Sequence, residues 1–293
     1  MIKDRKGNIV ITNQGQNRAL NSLYNTTGGR ALLKVLTAPA LSKAAGAFMD
    51  SPLSRPAIRP FIRRSGIDTS QYNMRSFRSY NEFFTRTIKP EMRPVDTVPG
   101  HLISPCDSKL TVYPIICSPN PGLGNVFRIK GSYYRVIDLI QNEFVARRYD
   151  GGLCLIFRLE VDDYHRYCYI DDGTKDGNHF IPGELHTVNP VALRHYNIYK
   201  RNSREYTLLH TVNFGDVVQV EVGAMMVGRI VNHHSICSFH RGEEKGMFEF
   251  GGSTIVLLIE KGIVRMDSDI RRNSAEGVET VVKFGEKIGE RIF

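Results

Sequence analysis

No apolar run in the sequence approaches the roughly 18 residues that a membrane-crossing helix requires. The first residues, Met1-Ile2-Lys3-Asp4-Arg5-Lys6, also lack the apolar stretch of a secretory signal. Both absences lead to the expectation of a protein made and kept in the cytoplasm. There is no CxxC pair, and the five cysteines (Cys106, Cys117, Cys154, Cys168 and Cys237) are an odd number without metal-ligand spacing. That argues against a disulfide framework and a zinc site, leaving reduced thiols. A Gly-rich phosphate loop, a dinucleotide fingerprint and a paired-histidine metal motif are missing as well. No repeat, low-complexity tract or Pro/Gly/Ser linker divides the 293 residues, so they read as one unit, and 41% hydrophobic content is enough for a folded core.

What the chain does have is an uneven charge. Residues 1–100 carry 16 Lys and Arg against 6 Asp and Glu, a net of +10 that leaves −1 for the rest of a chain whose total is +9. Clustered cations attract an anionic bilayer or nucleic acid, each membrane-proximal charge being worth about 1 kcal/mol. The aromatic signatures of RNA-binding modules are absent, so nucleic acid is the weaker candidate.

Residues 1–30 are polar, with turn signals at Thr26-Thr27-Gly28-Gly29, and predict an extended or short-stranded lead-in. Arg30–Leu36 and Leu41–Met49 read as short amphipathic helices broken at Thr37-Ala38-Pro39. After Pro56, residues 57–64 mix bulky apolar side chains with Arg59, Arg63 and Arg64, as an interfacial helix does, or a packed helix with outward arginines. Residues 80–96 read as a helix end and a proline-bounded extended connector. Short apolar or alternating runs follow at 110–113, 154–159, 217–222 and 254–259, with a helix near 136–140. The fold expected is α+β: a β-rich body over 76–293 preceded by a basic, amphipathic helical segment over 1–75.

Ser253 follows Gly251 and Gly252 and precedes an apolar run, so residues 246–252 read as a loop entering a buried strand. The two glycines leave room for the hydroxyl to lie against the preceding carbonyl. Asp107, in Ser104-Pro105-Cys106-Asp107-Ser108, sits in a turn before a strand, where capping its own backbone is the plain reading. Asp162-Asp163-Tyr164-His165-Arg166-Tyr167-Cys168 gathers acid, phenol, imidazole, guanidinium and thiol in seven residues. His186 lies in Glu184–Pro190 and reads as structural. Acid, imidazole and hydroxyl are the ingredients for activating a weak nucleophile: a base takes the proton and a carboxylate orients the base.

Segments 80–96, 104–108, 162–168 and 241–258, in that order, resemble the pyruvoyl-dependent phosphatidylserine decarboxylases, and the likeness extends over about residues 75–290. It is nearest to the shorter bacterial members whose cleavage site reads Phe-Gly-Gly-Ser-Thr. The resemblance implies that Asp107, a histidine of the 162–168 stretch and Ser253 drive autocleavage. Ser253 would attack the Gly252 carbonyl to form an ester, and elimination would separate chain 1–252 from a 41-residue chain, 253–293, that begins with a pyruvoyl group. That carbonyl would form a Schiff base with the substrate amine and accept electrons as CO2 leaves, without pyridoxal phosphate and without a metal. His165 would deliver the proton, with Tyr164 and His186 as neighbours.

Two positions depart from the pattern: Cys168 stands where a second histidine is common, and Ser108 follows Asp107 in place of glycine. The implied reaction turns phosphatidylserine of an anionic membrane into phosphatidylethanolamine, with the enzyme peripheral on the cytoplasmic face. The two chains of one precursor stay associated, and a homodimer is compatible. Alternatives are a pyruvoyl decarboxylase of a free, for example aromatic, amino acid, and an unprocessed lipid- or nucleic-acid-binding relative. A carrier-like domain around Glu221–Met226 lacks the lysine that such domains modify.

Overall fold

Short apolar stripes and a proline break shape the first third. The computed structural model describes residues 1–10, 23–37, 39–117, 124–129, 132–188, 198–224, 229–249 and 253–292. It places helices at Thr27–Leu36 (α1), Pro39–Asp50 (α2) and Ile58–Ser65 (α3), with a 3-10 turn at Pro52–Ala57. Thr26-Thr27-Gly28-Gly29, expected as a turn, opens α1 instead: Thr26 Oγ1 accepts the Gly29 amide at 3.0 Å. That cap and the stripe that follows offset the roughly 1 kcal/mol each glycine costs in a helix. α3 ends at Gly66, whose φ of 68° and amide bond to Ile62 O close the last turn. Ile58 is buried, and Phe61 and Ile62 pack beside it on Phe77, Phe83 and Phe84, a small core of its own. Arg59, Arg63 and Arg64 stay exposed, so α3 is a packed helix with outward arginines.

From residue 101 the short alternating runs form sheets. The main one runs, in spatial order, β1 (Ile2–Lys3), β18 (Glu279–Val282), β3 (Ser108–Pro114), β7 (Leu153–Leu159), β16 (Ser253–Ile259), β12 (Gly215–Val222), β11 (Arg204–Thr211), β9 (Gly173–Lys175) and β14 (Cys237–Phe239), with β10 (His179–Ile181) also on β11. All its pairings are antiparallel except β1 on β18. Three small sheets accompany it: β13 (Arg229–Asn232), β15 (Glu244–Glu249) and β8 (Arg166–Cys168); β17 (Val264–Met266), β19 (Lys287–Arg291) and β2 (His101–Ile103); and β4 (Ile116–Cys117), β5 (Asn125–Ile129) and β6 (Ser132–Arg135). Helices α4 (Tyr80–Phe84), α5 (Val136–Ile140), α6 (Glu143–Arg147), α7 (Ile198–Arg201) and α8 (Ser268–Ala275) fill the edges. The result is the α+β, β-rich architecture expected.

β16 is buried at all seven positions because β7 and β12 flank it and both sheet faces are covered, which is why its sequence is a continuous apolar run rather than an alternation. The stretch before it is a correction to the sequence expectation. Residues 246–249, taken as loop, are strand, pairing with Arg229–Asn232 and with Arg166 and Tyr167. Gly246 hides the signal: a side chain there would sit 2.7 Å from the Tyr167 hydroxyl, so the position accepts only glycine and looks like a turn.

Candidate active site

Register decides which residues meet. Lys109 is opposite Arg158, Arg158 opposite Thr254, and Thr254 opposite Val222, so one row crosses four strands. One step beyond that row, Ser253 pairs with Leu159 and Ser108 with Val282. Asp107, the loop after β7 that carries Asp163 and His165, the start of β16 and the segment after β18 therefore leave the sheet at the same end.

Asp107 is buried and does not cap its own backbone. Arg93 grips it with two bonds, Nε to Oδ1 at 2.8 Å and Nη2 to Oδ2 at 2.6 Å, while Lys283 Nζ is 3.2 Å from Oδ2 and the Phe284 amide donates to Oδ1 at 2.9 Å. Burial opposes its charge, but the Arg93 hydrogen bonds, the Lys283 and Arg93 charges and the Phe284 amide prevail and hold the carboxyl below its ordinary value. Arg93 belongs to the proline-bounded connector of the 80–96 segment that the sequence marked, whereas Lys283 and Phe284 carried no signal.

His165 is fully buried. Its Nδ1 lies 3.0 Å from Asp163 O, and since a carbonyl only accepts, Nδ1 carries a proton and donates it in this bond. The Phe84 ring is 4.2 Å away, centroid to centroid, and the Phe248 amide donates to His165 O at 2.9 Å. Thus Phe84, within the 80–96 segment, walls the imidazole. Arg86 lies over the Tyr72 ring at 4.2 Å and Arg166 Nε donates to Thr85 O at 2.8 Å, locking the 80–96 segment and the loop together. Asp163 supports the loop from beneath: it accepts from Lys109 Nζ at 2.6 Å and from the Glu160 amide at 2.7 Å. Burial nonetheless pushes its carboxyl up, with Lys109 opposing. The sequence marked Asp163 only as part of the 162–168 stretch and Lys109 not at all, because their pairing spans 54 residues.

Ser253 is fully buried, and its hydroxyl has no hydrogen-bond partner among the described residues. Gly252, the expected point of attack, lies outside the described residues. Cys168 is buried in β8; its amide bonds Pro105 O, its thiol points toward Ser104 O at 4.0 Å, and burial pushes the thiol well up. Tyr164 is buried between Tyr72 and Phe284, at centroid distances of 6.3 and 5.9 Å, and burial raises its phenol. His186 is engaged elsewhere: Nε2 lies 2.7 Å from Glu184 Oε2 and Nδ1 3.4 Å from the Tyr24 hydroxyl, tying the start of the helical segment to the body. Among the described residues, no three His, Cys, Asp or Glu side chains are grouped to hold a metal ion.

Fold and site together define an α+β protein whose acid, imidazole-bearing loop and serine hydroxyl are gathered inside the body at one end of a sheet. A sequence profile of the family described as phosphatidylserine decarboxylase matches residues 80–290. The chain is 47% identical over 283 residues to phosphatidylserine decarboxylase proenzyme 2 of Clostridium acetobutylicum, covering 96% of this chain and 95% of that protein. It is 42% identical to the phosphatidylserine decarboxylase proenzyme of Ruminiclostridium cellulolyticum (94% and 92% covered) and 40% identical to that of Clostridium botulinum strain 657 (93% and 92%). The chain belongs to the phosphatidylserine decarboxylase family.

Proposed function

We propose that this chain is a precursor that cuts its own Gly252–Ser253 bond, and that the cut protein converts phosphatidylserine into phosphatidylethanolamine and CO2. The observation that carries the proposal is the Ser253 hydroxyl, buried without a partner among the described residues at the head of a strand whose neighbour, β7, runs into the Asp163–His165 loop. A hydroxyl left so costs about 1–3 kcal/mol, and conversion of the serine to a pyruvoyl group removes it. In the cut, the Oγ–C bond forms as the peptide C–N bond breaks. Elimination then releases the Gly252 carboxylate, and water replaces the nitrogen, which leaves as ammonia. The pyruvoyl carbonyl supplies a sink for the electron pair that CO2 leaves behind.

The chain's own residues do the remainder. His165, held by Asp163 O, presents Nε2 as the base for the Ser253 proton and later as the donor to the substrate carbon. Asp107, kept ionised by Arg93 and Lys283, joins the large chain to residues 283 and 284 of the small one and sets the charge at this end of the sheet. Tyr164 and Phe84 exclude water. Cys168, its thiol pushed up, stays protonated near neutral pH and is not assigned the part of a base.

A pocket of about 450 Å³ lies between Asp50 at the end of α2, Arg78 and Asn81 at α4, and Glu249 at the end of β15. Its wall residues Thr85 and Glu249 neighbour Phe84 and Phe248, both in contact with His165. We assign it as the approach of the lipid headgroup. No described helix is long and apolar enough to cross a membrane. The exposed Arg59, Arg63 and Arg64 with the exposed Leu53 suit peripheral binding to an anionic cytoplasmic leaflet.

Intact mass under denaturing conditions, beside Ser253→Ala, tests the cut. Chains 1–252 and 253–293, the smaller carrying pyruvoyl, with an uncut variant and CO2 release from phosphatidylserine vesicles, are expected. One intact chain in both samples overturns the proposal; a cut chain active only on free amino acids overturns its lipid substrate.

A further inference from the structure

Two oppositely charged side chains, Lys245 and Glu221, are completely buried and play no part in the chemistry above. Lys245 Nζ lies 2.8 Å from Glu221 Oε1 and donates to Asn232 Oδ1 at 2.7 Å. Asn232 Nδ2 reaches Glu205 Oε1 at 2.8 Å, Gln219 Nε2 donates to Glu221 Oε1 at 2.9 Å, and the Tyr167 hydroxyl donates to Asn232 Oδ1 at 3.2 Å. Glu205 and Glu221 face each other directly across β11 and β12, a like-charge pairing that destabilises a sheet unless a cation answers it. A buried pair of this kind gives a fold little net stability over apolar residues of the same size, so its presence asks for another reason.

Its place supplies one. Glu221 is opposite Ile255, and Ile255 is two residues from Ser253, so the carboxylate and the serine share one face of the main sheet. Lys245 lies in β15, which belongs to the small sheet β13–β15–β8. Between the end of β15 at Glu249 and the start of β16 at Ser253 the chain passes from one sheet to the other, and the proposed scissile bond lies in that crossover. β16 is held by its full register with β7 and β12. β15 is joined to the main sheet by the Lys245 ammonium, reaching into the Glu221 and Asn232 cluster beside the Tyr167 ring at 5.7 Å.

We propose that the Lys245–Glu221 pair is a positioning element for self-cleavage: it fixes the strand that delivers residues 250–252 relative to the strand that begins at Ser253, and so sets the approach of the hydroxyl to the scissile carbonyl. The inference rests on the self-cleavage proposed above. Both members stay in the large chain after the cut, so the pair continues to hold β15 against the main sheet.

The test is a time course of cleavage in freshly translated precursor, followed by intact mass, for wild type, Ser253→Ala, Lys245→Arg and the double variant Glu221→Gln with Lys245→Met. The double variant removes both charges of the pair together, so neither member is left buried without the other. Each is followed with and without hydroxylamine, which intercepts an ester, and each uncut form is melted. The expected order is wild type, then Lys245→Arg, then the double variant at least about tenfold slower, with melting temperatures close together and no acceleration by hydroxylamine, because the loss precedes the ester. Equal rates in all but Ser253→Ala overturn the proposal, as does a slowing that follows loss of melting temperature or is relieved by hydroxylamine. A wild type that stays whole overturns self-cleavage itself, a separate result.

Discussion

At the scale of single residues, the proposed cut needs one base, and His165 and Cys168 stand in the same short stretch. In the proposed cut the base is His165, whose Nδ1 donates to Asp163 O, while burial holds the Cys168 thiol protonated. His165→Ala is therefore expected to slow cleavage about 10²–10⁴-fold, the usual reach of general-base catalysis, whereas Cys168→Ala should cut at close to the wild-type rate; densitometry of the two chains over time checks both. Asp107→Asn leaves Arg93 buried against a neutral partner, and a loss of about 3–5 kcal/mol in urea unfolding of the uncut Ser253→Ala background is expected. Asp107 and Ser253 came forward through the family resemblance, since by themselves they read as a cap and as a loop entering a strand, whereas His165 stood in the chemically dense 162–168 stretch. Of the partners that hold the Asp107 charge, Arg93 lies in the marked 80–96 segment, but Lys283, 176 residues away, carried no signal, since such pairings exist only after the sheet has formed.

Among the elements, α3 and β16 show how far periodicity carries. The mixed apolar and cationic pattern of residues 57–64 predicted a helix, and the fold spends Ile58, Phe61 and Ile62 on a local core, leaving arginines outward. Replacing Arg59, Arg63 and Arg64 by glutamate should then weaken sedimentation with anionic vesicles by about 1 kcal/mol per charge, most visibly at low salt, without changing cleavage. β16 was legible as an unbroken apolar run, and its burial between two strands makes Ile255→Ala cost about 2–5 kcal/mol in the same unfolding measurement. The small sheet of β8, β13 and β15 was not legible: β8 is three residues long, too short for a period, and Gly246 within β15 imitates a turn. That sheet holds the Lys245 tie, which explains why the tie had no counterpart in the sequence pattern.

For the molecule as a whole, the depressed carboxyl of Asp107 links folding to pH. Its folded value lies below the ordinary 3.8, so its contribution is complete above that pH and disappears as pH falls through the folded value. Acid unfolding of Ser253→Ala should accordingly shift to higher pH, closer to 3.8, when Arg93→Gln is added, as followed by circular dichroism. At this scale the chain ends also meet. β1 lies parallel to β18, and Arg5 binds Asp267 at 2.7 Å, Asp269 at 2.5 Å and Glu286 at 3.1 Å, so the first residues of the chain hold its last forty or so. Among the described residues, segment 253–292 supplies β16 at the middle of the main sheet and β18 near its edge.

This interleaving changes what folding means before and after a cut at 252/253. The precursor finds β16 within its own chain, a first-order search, whereas two severed chains that have been fully unfolded must meet in solution, so their recovery becomes second order and falls on dilution. The intact Ser253→Ala protein should regain its fold equally well at any concentration, and the cut protein only when concentrated. Cutting would thus convert a reversible fold into one held by the slowness of its own unfolding, with synthesis as the one efficient occasion for assembly.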